Sequence, residues 1–201
     1  MSAPAKVYDR AYFDRWYRDP RHAVVRQGVV ERRVQLAVSA AEYVLERPIR
    51  SVLDVGCGEA PWRAPLLHAR PGLRYVGVDS SAYVVARYGK SRGIRRGTFG
   101  GLGRMRLGRF DLVVCADVLH YVPTPDLAKG LAALARRLHG LAWIEVFARE
   151  DDTVGDDVEY QARAAAAYRR LFTAAGLVHV GLFGWVTRDR AGELMAFEKS
   201  R

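Results

Sequence analysis

The stretch that decides the fold is Val52–Ala60, which reads Val-Leu-Asp-Val-Gly-Cys-Gly-Glu-Ala. Its apolar first half is typical of a buried strand, and this strand runs directly into Gly56 and Gly58. Glycine permits a positive φ and lets a ligand approach the backbone closely. The helix that we expect next presents free N–H groups and the positive end of its dipole. The stretch therefore predicts a strand, a ligand-binding loop and a helix, in that order.

Strands and helices alternate from this loop toward the end of the chain. The patterns predict strands at 51–55, 73–79, 94–99, 110–116, 141–147, 177–185 and 193–199, and helices at 60–69, 81–89, 124–139 and 157–175. Two further helices are predicted before the loop, an aromatic-striped one at 8–18 and a longer one at 22–46. Repeated strand–helix units imply a parallel sheet covered on both faces, and the last two strands form an antiparallel hairpin. We therefore expect an α/β fold, a Rossmann-like three-layer sandwich with a mostly parallel seven-stranded sheet and N-terminal helices.

The composition is that of an ordinary globular domain. A chain of 201 residues, half of them hydrophobic, suffices for one domain with a buried core. No stretch approaches the ~20 apolar residues that span a bilayer, and the first residues lack a signal-peptide pattern. Two cysteines are too few for a disulfide framework or a cysteine zinc site. We therefore expect a cytoplasmic protein with no metal and no membrane partner.

The charge of the chain is its unusual feature. The formal net charge is +10, and the excess is strongest at 87–109, where eight cations meet no acidic residue. Such a tract indicates a nucleic-acid or other anionic partner, or simply a solvated face. Because the tract is rich in glycine and poor in aromatic residues, a nucleic-acid partner is possible but not favoured.

Four segments are expected to meet at one edge of the sheet, because ligands of such folds lie beyond the carboxyl ends of the strands. These segments are Gly56–Glu59, Asp79, Thr98–Phe99 and Ala116–His120. An acid at the end of the second strand, as at Asp79, accepts both hydroxyls of a ribose.

A dinucleotide is a poor fit to the glycine loop. The dinucleotide pattern requires a third glycine for close packing, but the chain has Pro61 there. In addition, the carboxylate of Asp54 before the loop suits a cationic ligand better than a pyrophosphate.

Several motifs resemble those of class I S-adenosylmethionine-dependent methyltransferases, in the order and spacing of that family. Val52–Ala60 is similar to the first motif, Tyr75–Ser81 to the second, and Phe110–Val122 to the fourth strand and its loop. Leu171–Leu177 is similar to the turn before the terminal hairpin. The resemblance covers about residues 50–199 and implies a methyltransferase domain at 49–201, preceded by a helical lid or cap segment at 1–48.

The resemblance implies a site for S-adenosylmethionine. The methionine part would lie by the glycine loop and Asp54, the ribose by Asp79, and the adenine by Ser80 or Ser81. The family often has an acid after the third strand, whereas this chain has Gly97-Thr98-Phe99 there. The cofactor-binding residues that we predict are Asp54, Gly56, Cys57, Gly58, Asp79, Ser80, Thr98, Phe99 and Asp117.

The methyl acceptor is expected to be a small molecule with an oxygen or nitrogen nucleophile. His120 and Tyr121 are the candidate catalytic groups, and Tyr12, Trp16 and Trp185 the candidate substrate contacts. Base-methylating enzymes resemble one another in an Asn/Asp-Pro-Pro-aromatic segment or a Pro-Cys pair, and this chain has neither. Two alternatives stay open: an RNA methyltransferase that uses the arginine-rich tract at 87–109, and a non-catalytic cofactor-binding partner subunit. The sequence does not indicate an oligomeric state.

Overall fold

A computed structural model of the protein describes residues 6–22, 27–152 and 156–199. The strands in these residues are β1 (Ser51–Val55), β2 (Arg74–Asp79), β3 (Ile94–Arg96), β4 (Phe110–Ala116), β5 (Leu138–Glu145), β6 (Leu177–His179) and β7 (Gly184–Thr187). They form one sheet in the order β3-β2-β1-β4-β5-β7-β6. Strands β1 to β5 are parallel, whereas β7 is antiparallel to both β5 and β6. The predicted seven-stranded, mostly parallel sheet with an antiparallel hairpin is confirmed.

Helices cover both faces of this sheet. They are α1 (Arg10–Phe13), α2 (Gln27–Leu45), α3 (Arg63–Ala69), α4 (Ala82–Arg92), α5 (Thr124–Arg137), α6 (Ala165–Ala174) and α7 (Arg188–Glu193), with a π-helical turn at Asp14–Arg18 directly after α1. Buried side chains of α2 and α3 pack on one face, and those of α5 and α6 pack on the other. The arrangement is the predicted three-layer sandwich. Within the described ranges, no helix has the length and apolar character needed to cross a membrane.

The predicted helix at 157–175 begins only at Ala165. Backbone groups of the preceding residues are used in long-range hydrogen bonds instead. Gln161 N–H donates to the His120 carbonyl at 2.8 Å, and Arg149 N–H donates to the Arg163 carbonyl at 2.8 Å. An extended segment therefore replaces the first turns of the predicted helix.

The terminal hairpin is shorter than predicted, and the prediction of a strand at 193–199 is wrong. The turn of the hairpin lies at Gly181, whose φ is +102°, so the second strand is β7 rather than a later segment. The polar stretch read as a turn is α7, capped by the Thr187 hydroxyl, which accepts a hydrogen bond from Arg190 N–H. A 3-10 turn at Ala196–Glu198 follows α7.

The two parts of the predicted N-terminal segment 1–48 have different surroundings. Helix α2 packs into the core on the sheet, with Val34, Ala37 and Ala41 fully or almost fully buried. Residues 6–22 instead lie beside the glycine loop, where Phe13 packs with Cys57 and Ala60. We call residues 6–22 the cover segment. The helix predicted from residue 22 is described from Gln27, and residues 23–26 lie outside the described part of the chain.

Replacing Gly130 of α5 with Ala is expected to destabilise the fold. An added Cβ would lie 2.1 Å from the Phe99 ring and 2.7 Å from the Phe99 carbonyl oxygen, so backbone has to move. Overpacking of this kind costs about 1–3 kcal/mol in the free energy of unfolding, which urea titration measures. Gly192→Ala is the matched control, because Gly192 also lies in a helix but has nothing within 4 Å of the added Cβ. An equal effect of the two substitutions would contradict this packing.

Candidate active site

The glycine loop after β1 is packed too closely for any larger residue. Gly56 has a φ of +70° and Gly58 a φ of +51°, a conformation that side-chain-bearing residues rarely adopt. A Cβ on Gly56 would lie 2.3 Å from the Val118 side chain, and one on Gly58 would lie 2.2 Å from the Tyr17 hydroxyl. The two glycines therefore form a backbone cradle that side chains of the β4 loop and the cover segment approach.

Asp79 at the end of β2 ties this loop to the next helix. Its Oδ2 accepts a hydrogen bond from Gly58 N–H at 2.8 Å, and its Oδ1 accepts one from Ser81 N–H at 2.8 Å. Burial raises the pKa of the Asp79 carboxyl, and the backbone N–H groups oppose that shift. Since a carboxylate has about four lone-pair sites, Asp79 can accept further hydrogen bonds from a ligand.

A cleft of about 270 Å³ opens at this edge of the sheet. Its wall contains side chains or backbone from the loops after β1, β2, β3 and β4 and from the cover segment. The cleft brings together nine residues that the sequence predicts: Tyr12, Gly56, Gly58, Asp79, Ser80, Thr98, Phe99, Asp117 and Tyr121.

Two predicted cofactor residues, Asp54 and Cys57, lie beneath the loop rather than in the cleft wall. The Asp54 carboxylate accepts a hydrogen bond from the Tyr75 hydroxyl at 2.8 Å, and burial raises the pKa of Asp54 to about 7. The Cys57 thiol is buried as well, against the carbonyl of Gly58. The Asp54 side chain points from β1 toward Tyr75 on β2, so its predicted place near the amino group of a cofactor, directly or through water, stays a prediction.

The predicted catalytic residue His120 is also absent from the cleft wall formed by the described residues. Only 3% of its surface is exposed, and its ring packs against Tyr121, Phe147 and Tyr160. Burial lowers the pKa of His120 to about 4, so the imidazole is neutral at pH 7. Its neighbour Tyr121 does line the cleft and donates its hydroxyl proton to the Asp156 carbonyl at 2.7 Å. Burial raises the pKa of Tyr121, so this phenol stays protonated.

The three predicted substrate contacts lie in different places. Tyr12 lines the cleft, whereas Trp16 packs beside it against Tyr12 and His22. Trp185 belongs to β7 and is buried against Phe172, so it lies in the core of the sandwich. Its position is therefore better explained by packing than by substrate binding.

The charge of the cleft is opposite to that of the chain. Four acidic residues line it, and no lysine or arginine does so among the described residues: the acids are Asp79, Asp117, Asp126 and Glu159. Sequence reasoning missed Asp126, because nothing in the first turn of α5 indicates that it faces the loop after β3. A Cβ on Gly100 of that loop would lie 2.7 Å from the Asp126 Cβ.

Asp117, the residue after the end of β4, has a strained backbone conformation. Its φ is +59°, which costs a residue other than glycine on the order of 1 kcal/mol. Its N–H donates to the Glu145 carbonyl at 3.1 Å, and Arg33 of α2 lies 3.7 Å from its carboxylate. Arg33 also pairs with the buried Glu145 carboxylate at 2.8 Å. The strand end and α2 thus fix Asp117 in the cleft wall.

The strand order, the glycine loop and the acid at the end of β2 are the features that the resemblance to class I S-adenosylmethionine-dependent methyltransferases implies. Residues 53–142 match the family model described as a methyltransferase domain. The match covers slightly less than half of the chain and shows that this segment is similar to methyltransferase domains.

Two curated relatives match part of the chain. The ubiquinone biosynthesis O-methyltransferase of Hahella chejuensis is 38% identical over 96 residues, which are 44% of this chain and 39% of that protein. An uncharacterised Synechococcus protein is 33% identical over 108 residues, 48% of this chain and 25% of that protein. The chain thus spans well under half the length of each of these two relatives.

Solved structures share the fold over most of the chain. Magnesium protoporphyrin IX methyltransferase from Synechocystis, solved with S-adenosylhomocysteine, has a TM-score of 0.64 and 20% identity over 90% of this chain and 96% of that one. DesVI from Streptomyces venezuelae has a TM-score of 0.62 and 18% identity. The match covers 80% of this chain and 91% of the DesVI chain. Likeness at this level of identity establishes the fold.

The residues present fit S-adenosylmethionine. Glycines whose Cβ positions are blocked provide a backbone cradle, and Asp79 keeps free acceptor capacity beside it. The acidic cleft wall suits a ligand with a positively charged sulfur and amino group. Asp126 of α5 lines the cleft beside the loop after β3, where this chain lacks the acid that the family often has.

Replacing His120 with Gln is expected to change the pH dependence of stability. Because the folded pKa of His120 is about 4 and an unfolded histidine titrates near 6.5, the unfolded state binds more protons in between. The wild type should therefore lose up to about 3 kcal/mol of unfolding free energy as the pH falls from about 6.5 to 4.

Urea titrations at several pH values should show a shallower acid slope for His120→Gln. His68→Gln is the matched control, because His68 is exposed on α3 and its surroundings change little on unfolding. The same acid slope in His120→Gln and wild type would contradict the buried, neutral state of His120.

Proposed function

We propose that the protein transfers a methyl group from S-adenosylmethionine to a small-molecule acceptor with an oxygen or nitrogen nucleophile. The observation that carries the proposal is the joint presence of Gly56, Gly58, Asp79 and Thr98–Phe99 in one cleft. When bound, the cofactor supplies a methyl group on a positively charged sulfur, already activated for in-line displacement. The similarity to the Hahella protein, an O-methyltransferase of ubiquinone biosynthesis, supports a small acceptor.

Each part of the cleft has a distinct role toward the cofactor in this proposal. The loop at Gly56 and Gly58 receives the methionine part, and Asp79 accepts hydrogen bonds from the ribose hydroxyls. Thr98 and Phe99 border the adenine, with Ser80 on the β2 side. Asp126 replaces the acid that is missing after β3 and accepts a hydrogen bond from the adenine amino group.

The acceptor side is closed by aromatic residues of the cover segment, which we propose acts as the lid of the domain at 49–201. Tyr8, Tyr12 and Phe13 line the cleft. With His120 buried and Tyr121 held protonated, the chain favours positioning and exclusion of water over a protein base. A cytoplasmic location is supported by the two free, buried thiols, Cys57 and Cys115.

Binding of S-adenosylhomocysteine is the direct test of the cofactor assignment. We expect calorimetric titration to show binding to wild-type protein, and Asp79→Asn to weaken it tenfold or more. The reason is that a ribose hydroxyl loses a charged acceptor, a change worth about 1–3 kcal/mol. Asp126→Asn should weaken binding to a smaller extent, because its side chain is half-exposed.

Asp189→Asn is the control for these variants, since Asp189 is exposed in the first turn of α7. No heat of binding at millimolar S-adenosylhomocysteine, to protein with an intact thermal transition, would refute the cofactor assignment. Binding without methyl transfer to any compound of a metabolite screen would instead support a non-catalytic partner subunit.

A second candidate function, methylation of RNA, is supported by one observation. Seven of the eight cations at 87–109 are exposed, among them Arg95 and Arg96 of the edge strand β3. The acidic cleft wall weighs against it, because RNA phosphates near the cleft would be repelled.

The RNA candidate predicts binding that weakens steeply between 50 and 200 mM salt, since counterions are released from the phosphates. Arg95→Gln with Arg96→Gln should then lower the log–log salt slope by about 2. The control is Arg188→Gln, exposed at the start of α7. No RNA binding at 150 mM salt, or a flat salt response, would exclude this candidate.

A further inference from the structure

The ammonium group of Lys6 lies in a cage of aromatic rings. Its Nζ is 3.4 Å from the ring centroid of Tyr121, 5.2 Å from that of Tyr8 and 5.5 Å from that of Tyr12. The Lys6 side chain is only 3% exposed. Three rings around one buried cation are the geometry by which proteins bind ammonium groups through cation–π attraction.

Oxygen atoms also contact the Lys6 ammonium group. The Asp156 carboxylate lies 2.6 Å from the Lys6 Nζ, and the Val158 carbonyl accepts a hydrogen bond from it at 3.3 Å. Glu159 accepts the backbone N–H of Lys6 at 3.0 Å. Burial lowers the pKa of the Lys6 amine, whereas Asp156, Glu159 and Asp157 oppose that shift. Apart from Lys6 itself, every charged group named here is an acid.

The cage and the proposed active site share their walls. Tyr8, Tyr12, Tyr121 and Glu159 all line the cleft that contains the glycine loop. A group bound in the cage is therefore adjacent to the place where the cofactor and acceptor would meet. Lys6 is the first described residue of the cover segment.

We propose that this cage is the recognition site for an ammonium group on the methyl acceptor, and that Lys6 occupies it when no acceptor is bound. The inference rests on the proposed methyltransferase function and adds the chemical class of its substrate, a small molecule with a cationic nitrogen. The rings and carboxylates attract such a group, and the acidic cleft disfavours a phosphate or carboxylate in its place.

Lys6 also connects the cover segment to residues 156–159. The competing explanation of the cage is therefore that it serves only to hold these two segments together. The two explanations differ in what happens when the Lys6 charge is removed. A vacated ammonium site gains affinity for an external ammonium ion, whereas a broken connection gains none.

Choline is a suitable probe, because its trimethylammonium group has a fixed charge. The neutral isostere 3,3-dimethyl-1-butanol has nearly the same shape and serves as the control ligand. Ligand-observed proton NMR titrations at constant ionic strength measure both affinities. The protein variants are Lys6→Ala, which removes the side chain from the cage, Lys6→Ala with Tyr121→Leu, and the exposed-lysine control Lys90→Ala.

We expect Lys6→Ala to bind choline at least tenfold more tightly than wild type or Lys90→Ala does. The same variant should bind choline at least tenfold more tightly than it binds the neutral alcohol. Adding Tyr121→Leu should abolish this gain, because the nearest ring is lost. If Lys6→Ala has a changed thermal transition, Lys6→Ser replaces it, since Ser also empties the cage but keeps a small polar side chain.

Equal affinities for choline and the alcohol, or no gain in a folded Lys6 variant, would overturn the ammonium site and leave Lys6 as a structural connection. These titrations contain no cofactor, so their failure is separate from a failure of the S-adenosylhomocysteine titration. Choline binding without S-adenosylhomocysteine binding would support the ammonium site and refute the methyltransferase function.

Discussion

The site depends on one buried carboxylate. Asp79 accepts hydrogen bonds from Gly58 and Ser81, and so it fixes the loop after β1 relative to the start of α4. Burying a carboxylate is costly unless charge-assisted hydrogen bonds offset the lost hydration. The same two bonds that stabilise the charge therefore hold the glycine loop in its positive-φ conformation. Stability and ligand-binding geometry are coupled through this group.

The cover segment depends on that loop in turn. The Tyr17 hydroxyl packs against Gly58, where any Cβ would clash with it. Phe13 stacks on Tyr83 of α4. At its other end Lys6 is held by residues 156–159. The cover segment is thus held at Lys6 and at Phe13–Tyr17. Between these two points it borders the proposed acceptor and cofactor sides of the cleft. Some aromatic residues of this segment thus pack in the core, and others line the cleft. The spacing of the aromatic residues in the sequence does not distinguish these two roles.

Local signals explain what the sequence predicted, and long-range contacts explain what it did not. An apolar run, two glycines and an acid after the next strand were sufficient for the sheet, the loop and most of the cleft. Whether Asp54 and His120 face the cleft depends on the packing of neighbouring elements, which has no local signal. The cage around Lys6 is a contact between residues about 150 positions apart, so no motif search finds it. The segment 157–164 has a helix-like composition, but its backbone pairs with distant residues.

Net charge describes this molecule poorly because its charges are separated. The +10 total is dominated by exposed arginines near β3, whereas the cleft wall is acidic. Salt at physiological concentration screens exposed charges beyond about 8 Å, while partly buried charges are screened much less. A ligand in the cleft therefore responds to Asp79, Asp117, Asp126 and Glu159 more than to the surface arginines. The same chain can repel a phosphate at its site and attract one at its sheet edge, so the total charge does not identify the substrate.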